Sequence, residues 1–119
     1  MKSIDPYLTR TYDEDKYNCL HLIVEAWLGL YNQDIRARLD QLTAARAHRR
    51  PDWALKRGFR ILRAPVEPCL VVMRRPSVQP HIGLYLRGRV LHINELGVEF
   101  QPLDVASRGY KTTRFYQPC

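Results

Sequence analysis

Apolar positions with helical spacing dominate the first third of the chain. Between residues 19 and 31 large apolar side chains recur every three or four positions, which predicts a helix with a buried face. Asn18 precedes this pattern, and its short amide side chain suits a helix N-cap. Cys19 would then be the first residue of a helix central to the core. A narrower apolar stripe predicts a second helix over residues 33–47, which Pro51 ends.

The pattern changes in the second half of the chain. Short apolar runs alternate with proline and glycine there, which is typical of strands joined by turns. Strands are predicted at residues 59–62, 69–73, 81–86, 89–93, 98–103 and 112–116. Residues 1–18 lack either pattern and are expected to be irregular. Helices followed by a mainly antiparallel sheet of five to six strands make an α+β fold.

One hairpin of this predicted sheet carries two histidines. Arg87-Gly88 is a good two-residue turn, because glycine tolerates a positive φ. A turn there sets Gly83 opposite His92 and makes His81 and His92 diagonal neighbours on one face. Gly83 leaves room between them for another element, such as the helix of Cys19. A register shifted by one residue would put the two histidines on opposite faces.

These positions bring together the parts of a cysteine hydrolase. A thiol at a helix N-terminus meets partially positive backbone N–H groups, which favour the thiolate. His81 can shuttle the proton of Cys19, while His92, or alternatively Asn94, orients the imidazole of His81. Cys19, His21, His81 and His92 also have the ligand types of a zinc site. They lack the short paired spacing that zinc sites usually have.

Composition and charge narrow the class of protein. A chain of 119 residues with 45% hydrophobic and 26% charged residues suits one globular domain, residues 1–119. A net charge of +7 favours anionic partners, and a nucleic-acid-binding module is one interpretation of it. Dispersed arginines on a solvated surface explain the charge equally well, and no nucleic-acid-binding motif is present, so no specific nucleic acid is expected.

The cysteine content and the N-terminal sequence indicate the compartment in which the protein is made. Three cysteines cannot all pair within one chain, which fits folding in a reducing compartment. The first residues lack the basic and apolar regions of a signal peptide, so synthesis in the cytoplasm is expected. No apolar stretch is long enough to span a bilayer, so membrane insertion is not expected.

Four segments carry a resemblance to a known family: Tyr17-Asn18-Cys19, His81-Ile82-Gly83-Leu84-Tyr85, Val90-Leu91-His92, and the ending from Gly97-Val98 to Arg114-Phe115-Tyr116. They resemble the NlpC-type papain-like cell-wall peptidases, especially small members from phage tail tips. The resemblance covers residues 12–116. The family usually has Asp before its cysteine and Ser-Gly after it, where this chain has Asn18, Leu20 and His21.

The resemblance implies a papain-like fold and hydrolysis of amide bonds in the stem peptides of peptidoglycan. Cys19 would be the nucleophile, His81 the general base and acid, and His92 the third polar residue. A tyrosine upstream often assists in the family, and Tyr7 and Tyr12 are both candidates. No metal and no organic cofactor are implied.

The same resemblance implies how the protein reaches the cell wall, and it also suggests an alternative function. The protein would be carried in a virion tail, with tail-tip or baseplate proteins as partners, and would act at the bacterial cell wall. A secreted effector used between bacteria fits the same residues. The alternative is a structural tail-tip or baseplate subunit with an inactive peptidase fold, which the changed residues beside Cys19 suggest.

Overall fold

The computed structural model describes residues 2–43 and 57–119, which form an α+β fold. The helices in the described part of the chain are α1 (Asp5–Leu8), α2 (Cys19–Tyr31), α3 (Arg36–Thr43) and α4 (Leu103–Ala106). The strands there are β1 (Phe59–Leu62), β2 (Cys69–Arg74), β3 (His81–Leu86), β4 (Arg89–Asn94), β5 (Gly97–Pro102) and β6 (Thr112–Pro118).

The six strands of the described residues belong to one open sheet, in which every strand pairing is antiparallel. The order is β1-β6-β2-β3-β4-β5. Strands β2 to β5 follow one another in both sequence and space, whereas β6 returns to lie between β1 and β2. The predicted α+β layout with a mainly antiparallel sheet is confirmed, and each predicted strand is present with closely similar ends.

The main core lies between α2 and one face of the sheet. Helix α2 buries Leu22, Ile23, Ala26 and Trp27 against residues of the central strands, among them Leu70, Val72, Ile82, Leu84, Leu91 and Ile93. A smaller apolar cluster of Val71, Met73, Val90 and Ala106 covers the opposite face. Within the described ranges, no helix is both long and apolar enough to cross a membrane.

The start of α2 is fixed by reciprocal hydrogen bonds. The side-chain oxygen of Asn18 accepts from the backbone N–H groups of Leu20 at 3.0 Å and His21 at 3.4 Å. In return, Nδ1 of His21 accepts from the backbone N–H of Asn18 at 3.0 Å. This capping box confirms the predicted N-cap and makes Cys19 the first residue of the helix.

Other predictions for the N-terminal half need correction. Helix α3 begins at Arg36 rather than at residue 33, because the Asp34 side chain accepts the N–H of Arg36 at 3.0 Å and turns the chain there. The predicted end of this helix at residue 47, and Pro51, lie outside the described residues. Residues 1–18 are not wholly irregular, since they contain α1, which begins with a proline in its first turn.

The β3–β4 hairpin has the predicted turn and register. Arg87 and Gly88 adopt positive φ values of 52° and 75°, as a two-residue turn of this hand requires. Leu84 lies opposite Leu91 and Tyr85 lies opposite Val90. This register is the one from which the sequence predicted that His81 and His92 share one face of the hairpin.

Gly83 is expected to resist substitution, because a Cβ built there would overlap Cγ1 of Val90 and lie 3.3 Å from the carbonyl oxygen of Leu91. Val90 is fully buried and stiff at χ1, so the overlap is not easily relieved. We expect Gly83→Ala to lower the free energy of unfolding by about 1–3 kcal/mol, measured by urea denaturation. The loss should shrink in a Val90→Ala background, and an equal loss in both backgrounds would contradict the explanation.

Candidate active site

The sequence-predicted nucleophile and base line one cleft. The cleft has a volume of about 460 Å³ and lies beside the N-terminus of α2, where β3 begins and β4 ends. Cys19, His81 and Asn94 line it, together with Tyr12, Asn18, Arg75, Ile93, Glu95 and Tyr110 among others. Residues that are far apart in sequence therefore meet at one edge of the core.

Cys19 reaches the sheet where β3 and β4 separate. The residue pairing of this hairpin runs from the turn to Leu84 and Leu91 and stops before His81. Because the residues flanking a two-residue turn exchange hydrogen bonds, every second residue from Leu86 back to Ile82 directs its N–H toward β4. The N–H of Ile82 lies near enough to the thiol of Cys19 to act against the rise in its pKa. The thiol is thus close to a backbone donor at the open end of the hairpin.

The histidines lie on the sheet face opposite to α2. Side chains alternate along a strand, so His81 and Gly83 point away from the helix that covers Ile82 and Ile93. The expected approach of the Cys19 helix through a gap at Gly83 is wrong, because Val90 fills that space and α2 packs on the other face. Cys19 and His81 both line the cleft at the open end of the strands.

The predicted proximity of the two histidines is confirmed. Nε2 of His81 lies 2.8 Å from Nδ1 of His92, and the rings meet edge to face at 76° with centroids 5.0 Å apart. His92 is only 6% exposed. Asn94, the alternative orienting residue, donates to Glu99 at 2.9 Å. His92, rather than Asn94, is therefore the side chain that holds His81.

The chain of hydrogen bonds continues beyond His92 to β5. Nε2 of His92 lies 2.8 Å from Oε1 of Gln101, and Nε2 of Gln101 donates to the Glu99 carboxylate. Sequence analysis missed both residues. Glu99 and Gln101 alternate along a predicted strand, which places their side chains on one face of the sheet. The pairing of that strand with β4 was not predicted.

An aromatic and cationic stack covers the other side of His81. The ring of Tyr110 lies parallel to the imidazole, with an interplanar angle of 5° and centroids 5.8 Å apart. The guanidinium of Arg75 lies 5.0 Å from the centroid of the same tyrosine. Both residues come from connections between strands, where periodicity gives no signal. The stack limits how far the imidazole of His81 can rotate.

Burial sets the protonation of the pair. It raises the pKa of the Cys19 thiol, and the nearby N–H groups of Ile82, Leu20 and Cys19 only partly oppose it. The expected stabilisation of the thiolate by the helix N-terminus is thus outweighed. Burial first, and then the charges of His92 and Arg75, lower the pKa of His81 to about 4. At pH 7 these shifts leave the imidazole of His81 neutral and the thiol of Cys19 protonated.

The remaining candidates divide between the cleft and other places. Tyr12 lines the cleft beside Cys19, whereas Tyr7 packs on α2 at Gly29. Leu20 and His21, at the positions where the chain departs from the family pattern, line a separate groove with Tyr17, Val24, Glu25, Leu28 and Arg36. Leu20 and His21 therefore do not narrow the cleft, which Asn18 lines.

The zinc interpretation gains no support from the geometry. His21 is engaged in the capping box of α2 and lies outside the cleft. Across residues 2–43 and 57–119, no group of three or more histidine, cysteine, aspartate or glutamate side chains is arranged to hold a metal ion.

Replacing Arg75 by glutamine should raise the pKa of His81, because the substitution removes a positive charge that disfavours the imidazolium. An NMR titration of the His81 ring measures the change directly. Arg89→Gln is a matched control, since Arg89 lies over Phe100 at 5.9 Å near the far end of β4. A pKa of His81 that moves equally in both variants, or falls in Arg75→Gln, would contradict this account.

Comparison with protein-family models, with curated proteins and with solved structures found no match to this chain. Any functional assignment therefore depends on the geometry of the cleft and on the sequence resemblance.

Proposed function

We propose that the protein is a cysteine peptidase of the NlpC type, with a papain-like arrangement, that hydrolyses amide bonds in the stem peptides of peptidoglycan. The observation that carries this proposal is the 2.8 Å contact between the buried His92 and His81, which lines the same cleft as Cys19. A nucleophile, a base and a group that orients the base come from α2, β3 and β4. That combination is typical of acyl-transfer sites.

The first half of the proposed reaction is acylation of the thiol. Nδ1 of His81 takes the proton of Cys19 as the sulfur attacks the scissile carbonyl carbon. The N–H of Cys19, the first in α2, has no acceptor within its own helix and can donate to the developing oxyanion. His81 then gives the proton to the leaving amine, and the C–N bond breaks to leave a thioester.

The second half is hydrolysis of that thioester. His81 removes a proton from a water molecule, whose oxygen attacks the thioester carbonyl. Collapse of the tetrahedral species releases the new carboxylic acid, and the proton held by His81 returns to the sulfur of Cys19. The cycle needs neither a metal nor an organic cofactor.

The protonation of the resting pair favours general-base chemistry over a preformed ion pair. The pKa of the thiol is raised and that of His81 is lowered, both chiefly by burial. Charges would therefore develop during attack, when the substrate carbonyl and the N–H groups around the thiol can stabilise them. Such a site is less reactive toward small electrophiles than one with a resting thiolate.

The proposed site of action is the bacterial cell wall, reached in a phage tail tip. The resemblance to small tail-tip members of the family supports this, and tail-tip or baseplate proteins would be the partners. A net charge of +7 would favour association with acidic wall polymers.

The alternative is a structural tail-tip or baseplate subunit that keeps the fold without the activity. One observation favours it: among the described residues, no hydrogen bond joins the thiol of Cys19 to the imidazole of His81. A protonated thiol without a bonded base is also what an inactive descendant of an enzyme would contain.

Purified peptidoglycan of differing chemotypes, incubated with the protein, separates the two proposals. We expect release of soluble fragments with new amino and carboxyl groups, identified by mass spectrometry. Cys19→Ala should abolish the release, and His81→Ala should slow it by roughly 100-fold or more. Cys119→Ser, which alters an exposed thiol outside the cleft, is the control and should retain full activity.

Two results would overturn the enzyme proposal. One is the absence of release from every wall by the folded wild-type protein. The other is release that persists in Cys19→Ala, which would assign the activity to another group or to a contaminant.

A further inference from the structure

We propose that Glu99 and Gln101 are positioning residues that fix the tautomer of His81, leaving the lone pair on Nδ1 for the proton of Cys19. Nothing in the sequence motif includes these two residues. The use of the lone pair depends on the proposed function, whereas the tautomer itself does not.

The hydrogen-bond chain behind His92 ends at the carboxylate of Glu99. Nδ2 of Asn94 donates to Oε1 of Glu99 at 2.9 Å, and Nε2 of Gln101 donates to Oε2 of the same carboxylate. An ionised carboxylate can only accept hydrogen bonds. Gln101 must therefore turn its NH₂ group toward Glu99, which leaves its carbonyl oxygen, Oε1, directed at His92.

The orientation of this amide determines the tautomer of His92. Oε1 of Gln101 can only accept, so Nε2 of His92, at 2.8 Å, must carry the hydrogen. In a neutral imidazole the other nitrogen is then an acceptor. Whenever His92 is neutral, its Nδ1 therefore presents a lone pair to His81.

The tautomer of His92 in turn determines that of His81. Nε2 of His81 lies 2.8 Å from the lone pair on Nδ1 of His92 and must be the donor. Nδ1 of a neutral His81 is then unprotonated and able to accept a proton. A neutral ring is expected at pH 7, since the pKa of His81 is about 4. The opposite tautomer would direct an N–H at the thiol and could not remove its proton.

Sheet register explains why these residues can act in series. Glu99 lies opposite His92, and Gln101 lies opposite Val90. Because opposed and alternate residues share a face, the side chains of His92, Glu99 and Gln101 all lie on the face away from α2. The other charged or titratable groups that line the cleft with His81 are Cys19, Tyr110, Arg75, Tyr12 and Glu95. None of these holds Nε2 of His81.

NMR of the histidine ring nitrogens in the full-length protein at pH 7 tests the proposal without any substrate. In the wild type, Nδ1 of His81 should give an unprotonated, pyridine-like signal and Nε2 a protonated, pyrrole-like one. Glu99→Gln keeps the side-chain volume but adds a donor, which frees the Gln101 amide to turn over. Gln101→Met removes the link. In both variants the two His81 signals should shift toward an average, showing loss of the single tautomer.

Matched substitutions elsewhere provide the controls. Glu67→Gln changes a carboxylate that accepts from the N–H of Arg87 at 2.8 Å, and Gln117→Met removes an amide that donates to Pro68 at 3.0 Å. Both should leave the signals of His81 unchanged. Thermal unfolding verifies that each variant is folded, and the volume-conserving Glu99→Gln decides the matter if Gln101→Met does not fold.

Two outcomes would overturn the proposal. In one, the hydrogen of His81 is on Nδ1 in the wild type. In the other, the His81 tautomer in folded Glu99→Gln is the same as in the wild type and Glu67→Gln. Failure of the enzyme to digest cell wall would change neither readout, so the two proposals fail separately.

Discussion

The hydrogen bond between Nε2 of His81 and Nδ1 of His92 connects every element on which the candidate site depends. It needs the turn at Gly88, which sets the register of β3 and β4. It also needs β5, which holds the far side of His92 through Gln101. Since pairing stops short of His81, the same hairpin end places the N–H of Ile82 near the thiol of Cys19. One local separation of two strands thus brings the nucleophile and the base to one cleft.

Burial and activation oppose each other at this site. Withdrawing Cys19 and His81 from water stabilises the neutral forms of both, since each charged form loses solvation. The N–H groups around the thiol compensate only in part. A buried neutral pair can act as nucleophile and base only if the imidazole accepts the proton of the thiol. The tautomer of His81 is therefore more important here than in a site with a resting ion pair. This explains why a buried relay behind His92 would matter.

Local signals were sufficient for much of the fold and for half of the site. Asn18 is recognisable as a capping residue, α2 by its apolar period, and the β3–β4 register by its glycine turn. Each of these signals acts over only a few residues. The positions of Glu99 and Gln101 depend on how β5 pairs with β4. Those of Arg75 and Tyr110 depend on the paths of loops. Periodicity in the sequence determines neither the pairing nor the paths. The sign of the change in the thiol pKa depends on tertiary burial, so the helix N-terminus alone predicted it wrongly.

The pH dependence of Cys19 alkylation, compared between wild type and His81→Ala, tests the central claim most directly. Both would carry Cys119→Ser. Cys69 is fully buried and its pKa is raised to about 11, so we expect it not to react near neutral pH. If neutral His81 removes the proton, the wild-type rate should persist well below the pKa of the thiol and fall only as His81 is protonated, near pH 4. The rate in His81→Ala should instead fall with the thiolate fraction. Identical profiles, both following the ionisation of an isolated buried thiol, would contradict the account.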